Sequence, residues 1–181
     1  MRKSFYHIKS IVLIAICAAL LTGGKMALAA LPNIEVVTLF IMLFAYAFGL
    51  RIALPATLIF CVFEGVLFGF HYWLIAYFIH WPGIAIVTAL ISKLKIAKNF
   101  VYIIFGVLGT AMFGVTTSAI DALFAMQVAK VNFFVMFSVI YVRGLLFYAA
   151  QILSSIFFLT IAFPPLSQLF LRTNKLYFAK G

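Results

Sequence analysis

The constraint that dominates this chain is the near-continuity of its apolar runs. Charged residues make up 9% of 181 residues and hydrophobic residues 67%. Ordinary soluble domains carry about 25% charged residues. A membrane-spanning helix needs roughly 20 apolar residues, so this composition allows about six spans and leaves almost nothing for a soluble domain. A β-barrel would alternate apolar and polar positions, and these runs do not alternate. The expected fold class is an all-α membrane protein, with six transmembrane helices in one bundle and a single domain over residues 1–181.

The breaks between runs place the spans at about 8–31, 34–50, 52–70, 73–91, 100–126 and 133–163. Gly49 and Arg51 end the second, Lys93, Lys95 and Lys98 the fourth, and Pro164 and Pro165 the sixth. The last two exceed the thickness of a bilayer core and should tilt, bend or protrude. The first run has basic residues ahead of Ile11 and an Ala27-Leu28-Ala29 segment, as a signal peptide would. Lys25 and the double glycine make a poor cleavage region, so the run is read as a span.

The formal charge is +10. In a soluble protein that would point to nucleic acid, but no basic stretch with interleaved aromatics lies outside the spans. The membrane explanation is simpler. Arg2, Lys3, Lys9, Arg51, Lys93, Lys95, Lys98, Arg172, Lys175 and Lys180 fall on one side of a six-span layout, and Lys25 and Lys130 on the other. Basic residues concentrate in cytoplasmic loops, which predicts cytoplasmic termini and outward-facing first, third and fifth connections. Those outward connections hold the unusual residues, so a small solute would bind near the outer face.

All three acids, Glu35, Glu64 and Asp121, lie in or beside spans, and Arg143 sits about 15 Å into the sixth run. A charge at that depth costs roughly 3 kcal/mol on insertion scales. Arg143 therefore either pairs with Asp121 or Glu64, or lies under a ligand pocket. Lys25 and Glu35, near the outer ends of the first two spans, either snorkel to the interface or contact ligand. Glu64, next to Gly65, reads as a hydrogen-bonded helix contact. Trp73 and Trp81 stand eight residues apart on adjacent faces of one helix, with Tyr77 between them. Trp73 reads as an interface-belt residue or a pocket wall. Trp81, too deep for a belt, reads as packing or pocket wall. With Tyr72 they could stack on a flat or apolar ligand. Ala15 and Ala19 form a small-residue face on the first span, fit for close approach by another helix, internal or from a partner. Cys17 and Cys61 fall inside apolar runs as core residues, and His7, His71 and His80 are scattered. No GxSxG or HExxH motif is present, which argues against an enzyme. No GxxxxGK[ST] loop is present, so any ATP-driven activity needs a partner.

Taken together, these residues carry a resemblance. The segment Leu31-Pro32-Asn33-Ile34-Glu35-Val36-Val37-Thr38, the Ala47-Phe48-Gly49 end of the second run, the Gly69, Trp73 and Trp81 spacing, and Pro164-Pro165-Leu166 resemble the substrate-binding S components of energy-coupling factor (ECF) transporters. The resemblance implies a high-affinity vitamin-binding subunit of the bacterial cytoplasmic membrane, with no cofactor of its own. It implies a transmembrane coupling (T) subunit and two cytoplasmic ATPase subunits as partners, with ATP used by the latter. It gives Ala15 and Ala19 a role in docking the coupling subunit. Lys25, Asn33, Glu35, Tyr72, Trp73, Trp81 and Arg143 are the expected substrate-binding residues. Phe70-His71-Tyr72, Glu35 and Arg143-Gly144 depart from the family pattern and leave the substrate open. The group that includes cobalamin transporters, formerly linked to queuosine precursors, is the nearest in appearance. Another vitamin or a queuosine precursor is the alternative ligand, and a self-sufficient secondary transporter or channel is the alternative function.

Overall fold

The computed structural model describes residues 2–31, 33–94 and 98–179. Pro32, Lys95 and Lys180 lie outside the described residues, as do the side chains of Arg2 and Lys3. Among the described residues six helices follow one another: α1 (Arg2–Ala27), α2 (Val37–Phe48), α3 (Leu50–Phe68), α4 (Trp73–Lys93), α5 (Asn99–Ala129) and α6 (Phe133–Ala179). Five of them are long and apolar enough to cross a membrane, and large hydrophobic side chains cover the exterior, among them Phe134, Leu146 and Val128. The protein is a membrane-embedded, multi-pass helical chain. Helices are the economical solution in lipid, because each satisfies its own backbone polar groups.

The exception among the six is α2, with 12 residues. At 1.5 Å per residue it is about 18 Å long, against a hydrocarbon core of about 30 Å. The sequence places a span over 34–50, but residues 34–36 are not helical. Asn33 adopts a left-handed conformation at φ 63°, which asparagine tolerates better than most residues. The Glu35 N–H then donates to Ser154 Oγ on α6 at 2.7 Å, rather than to a carbonyl of its own helix. At the other end Gly49, at φ 76°, turns the chain directly from α2 into α3.

This short helix is the axis of the bundle. It is apolar on every side, and a helix apolar all round is a buried one. Ile41, Met42, Leu43 and Phe44 are fully buried, and α2 packs against each of the other five helices. Close approach of α5 depends on Gly106, where a Cβ would come within 2.5 Å of Leu159 and 2.7 Å of Met42 Sδ. Hydroxyls knit the same region: Thr110 donates to Ser155 Oγ at 2.9 Å and lies 3.4 Å from Thr38 Oγ1. Such polar bonds hold helices together where lipid gives no hydrophobic drive.

The helix ends differ from the sequence reading in two further places. The first run was expected to reach residue 31, and α1 stops at Ala27, after which residues 28–31 form tight turns. The sixth was expected to end at residue 163, yet α6 runs through Pro164 and Pro165 to Ala179. Each proline strips a donor from the carbonyl four residues earlier. Those carbonyls belong to Thr160 and Ile161, both exposed residues. Phe163 is fully buried, and Phe170 packs edge-on to Phe44 and Phe48 at 5.7 Å each. Tertiary packing on both sides of the prolines holds the helix together where local preference would break it.

Candidate functional site

One end of the bundle carries the α1–α2 and α3–α4 connections, and a cavity of about 370 Å³ opens there. Its walls are the last turn of α1, the α1–α2 connection, the last turns of α3 and the first turns of α4. Lys25, Asn33, Glu64, Phe68, Trp73 and Tyr77 line it, together with apolar residues of the connection. The early end of α1 matters here. Had the helix continued, Leu28, Ala29 and Leu31 would not fold over as a wall.

The charges in this cavity form a compact unit. The Lys25 ammonium donates to Glu64 Oε2 in an ion pair and to the Tyr77 hydroxyl at 3.2 Å. It also stands over three aromatic rings, 5.1 Å from the centre of Tyr77, 5.2 Å from Phe68 and 5.9 Å from Phe60. Ring faces attract a cation, and the attraction grows when water is excluded. The Glu64 side chain is 0% exposed, while that of Lys25 is 30% exposed. Glu64 Oε1 is buried with no hydrogen-bond partner among the described residues. Trp73 meets Tyr77 edge to face at 4.8 Å, which fixes one flat wall of the cavity.

Of the residues expected to bind substrate, Lys25, Asn33 and Trp73 line this cavity. The others lie elsewhere. Glu35 is buried and accepts the Thr38 N–H at 3.0 and 3.2 Å. It thereby satisfies a first-turn donor of α2 that has no helical acceptor. Tyr72 stacks on Phe124 at 5.3 Å and faces a separate, apolar hollow with Phe70 and His71. Trp81 is 3% exposed and stacks on Phe113 at 5.0 Å inside the core. Arg143 is exposed on α6. The pairings weighed for it are absent: Glu64 takes Lys25 instead, and Asp121 Oδ1 is buried without a hydrogen-bond partner.

Glu64, Phe68 and Tyr77 are among the cavity residues that sequence reasoning did not select. A signal for Glu64 was present. Lys25 lies two residues before the end of α1 and Glu64 four before the end of α3. In an alternating layout these two helices run in the same direction, so the two charges share a depth and can meet.

A second hollow, of about 440 Å³, lies on the outside of α1 and α3. Ala15, Ala18, Ala19, Thr22 and Gly23 form its floor, with Ile59 and Phe63 at its side. Ala15 and Ala19 are exposed, so no other helix among the described residues covers that face.

No protein-family model, no curated protein and no solved structure matches this chain.

Proposed function

We propose that this chain is the substrate-binding membrane subunit of an ATP-driven importer of the ECF type. It would capture a vitamin from outside and pass it inward with a coupling subunit and two ATPase subunits. The observation that carries the reading is the cavity at the Lys25 end of the bundle, where a buried ion pair, a backbone turn at Asn33 and the Trp73 wall converge. Ligand sites are concave, largely apolar and furnished with a few placed polar groups, and this cavity has that make-up. The uncovered small-residue face at Ala15 and Ala19 supports docking of a helical partner from within the bilayer. In this reading the cavity faces outward from a bacterial plasma membrane with both termini in the cytoplasm, an orientation supported by the uneven distribution of lysine and arginine. In this role the chain binds and releases its substrate and makes or breaks no covalent bond.

Cobalamin is the first ligand to test, on the sequence resemblance. The cavity volume favours a second choice. At about 370 Å³ it lies near the lower end of the range for small-molecule sites, about 300–1,000 Å³. A queuosine precursor or a pterin-sized vitamin would be enclosed, whereas a corrin would enter only in part.

The test has two stages. Purified protein in detergent is titrated calorimetrically with cobalamin, then with flavins, pterins and queuosine precursors. The ligand that binds is then offered to proteoliposomes with and without a coupling module and ATP. Saturable binding and uptake only with the coupling module support the reading. Uptake by this chain alone, driven by a proton gradient, would replace it with a secondary transporter.

A further inference from the structure

The Lys25–Glu64 unit is only half used. Glu64 Oε2 is occupied by Lys25, and Glu64 Oε1 is buried with no partner. A buried carboxylate oxygen left unpaired costs free energy that a donor from outside would recover. Lysine has three N–H donors. Lys25 directs one to Glu64 and one to the Tyr77 hydroxyl, which leaves one, on a side chain that lines the cavity and is 30% exposed. A free acceptor just beneath the cavity wall and a free donor on it therefore lie side by side, and a ligand reaches Glu64 Oε1 by a small shift of the side chains that cover it.

From this juxtaposition we infer that the cavity recognises a neutral amide or lactam group. The ligand N–H donates to Glu64 Oε1, and the ligand carbonyl accepts from the Lys25 ammonium. The charge balance selects neutrality. Lys25 and Glu64 cancel, so an anionic or cationic ligand group would bring an unbalanced charge into a site of low polarity, which is costly. An incoming cation would also have to displace Lys25 from its carboxylate, its hydroxyl acceptor and three aromatic faces. The Trp73 wall adds a preference for a flat group next to the amide.

This inference rests on the cavity being the ligand site and deepens that reading by naming the chemistry of its ligand. Three isosteric probes test it: nicotinamide, nicotinate and aminomethylpyridine. Each is titrated at up to millimolar concentration into the purified full-length protein, followed by Trp fluorescence and saturation-transfer NMR. Nicotinamide should bind at least tenfold more tightly than either charged analogue. A Lys25→Met/Glu64→Leu double variant should lose that preference. Removing both partners leaves no orphaned charge, so this variant should remain monodisperse with near-native thermal stability. Tighter binding of the ammonium or carboxylate probe, binding of none, or an unchanged preference in the double variant would overturn the inference. Amide preference without coupled uptake of any vitamin would keep this site and remove the importer reading. Coupled uptake of a ligand lacking any amide would do the reverse.

Discussion

The two ends of the bundle treat their polar groups in opposite ways. At the end where α1 begins and α6 finishes, the last turns of α6 bond to α1 and α2. Asn174 Nδ2 donates to the Ala47 carbonyl at the end of α2, at 2.6 Å. The Lys9 ammonium donates to the Tyr177 carbonyl at 2.8 Å, and the Tyr177 hydroxyl returns a bond to the Lys9 carbonyl at 3.2 Å. Phe44, Phe48 and Phe170 fill the space between. At the opposite end a buried carboxylate keeps one oxygen unpaired beside an open cavity. Both ends use a lysine, a tyrosine and phenylalanines. The difference lies in whether the chain supplies the last partner itself. Unpaired buried polar atoms also occur at His80, Thr88 and Asp121, but Glu64 is the one of these that lines the open cavity.

Substitutions can break this contrast. The largest effect is expected for Glu64→Ala, which leaves the Lys25 charge unpaired inside the protein. The stability loss should be about 3–5 kcal/mol, read as a fall in detergent thermal midpoint or a loss of monodisperse protein. Phe170→Ala at the closed end removes aromatic packing on a half-buried ring. It should cost about 2 kcal/mol, below the 3–5 typical of a fully buried phenylalanine, and leave ligand affinity unchanged. Trp73→Ala should behave conversely. It should weaken binding of the identified ligand by more than tenfold, about 1.4 kcal/mol, with little change in thermal midpoint. Equal affinity would remove Trp73 from the site. Asn174→Leu deletes one hydrogen bond at the closed end and should cost about 1 kcal/mol in stability with no effect on binding. Arg143→Gln, on an exposed position of α6 away from the cavity, should stay within about 0.5 kcal/mol of the parent and bind ligand normally. A large loss of affinity there would show that α6 reaches the ligand.

The cavity residues show how far reading from sequence extends. Lys25, Asn33 and Trp73 were visible because each is unusual where it stands: a lysine near a span end, an asparagine at a turn, a tryptophan opening a helix. Glu35 is equally unusual, but its carboxylate is spent on the first turn of α2. Trp81 shares a helix with Trp73, yet two turns of depth turn a cavity wall into core. Sequence shows that a residue is costly where it lies. It does not show whether the compensation comes from a neighbouring helix or from a ligand.

The sequence by itself determined the membrane class, the helical content and the approximate position of every helix, because apolar length and punctuating charges act locally along the chain. Tertiary structure decided the rest. It drew Lys25 to Glu64 rather than leaving that acid to Arg143, shortened α2, carried α6 through two prolines and folded Leu28, Ala29, Leu31, Asn33 and Ile34 into a cavity wall. Each of these outcomes depends on contacts between residues far apart in the chain, where the packing energy of the partner outweighs the local preference.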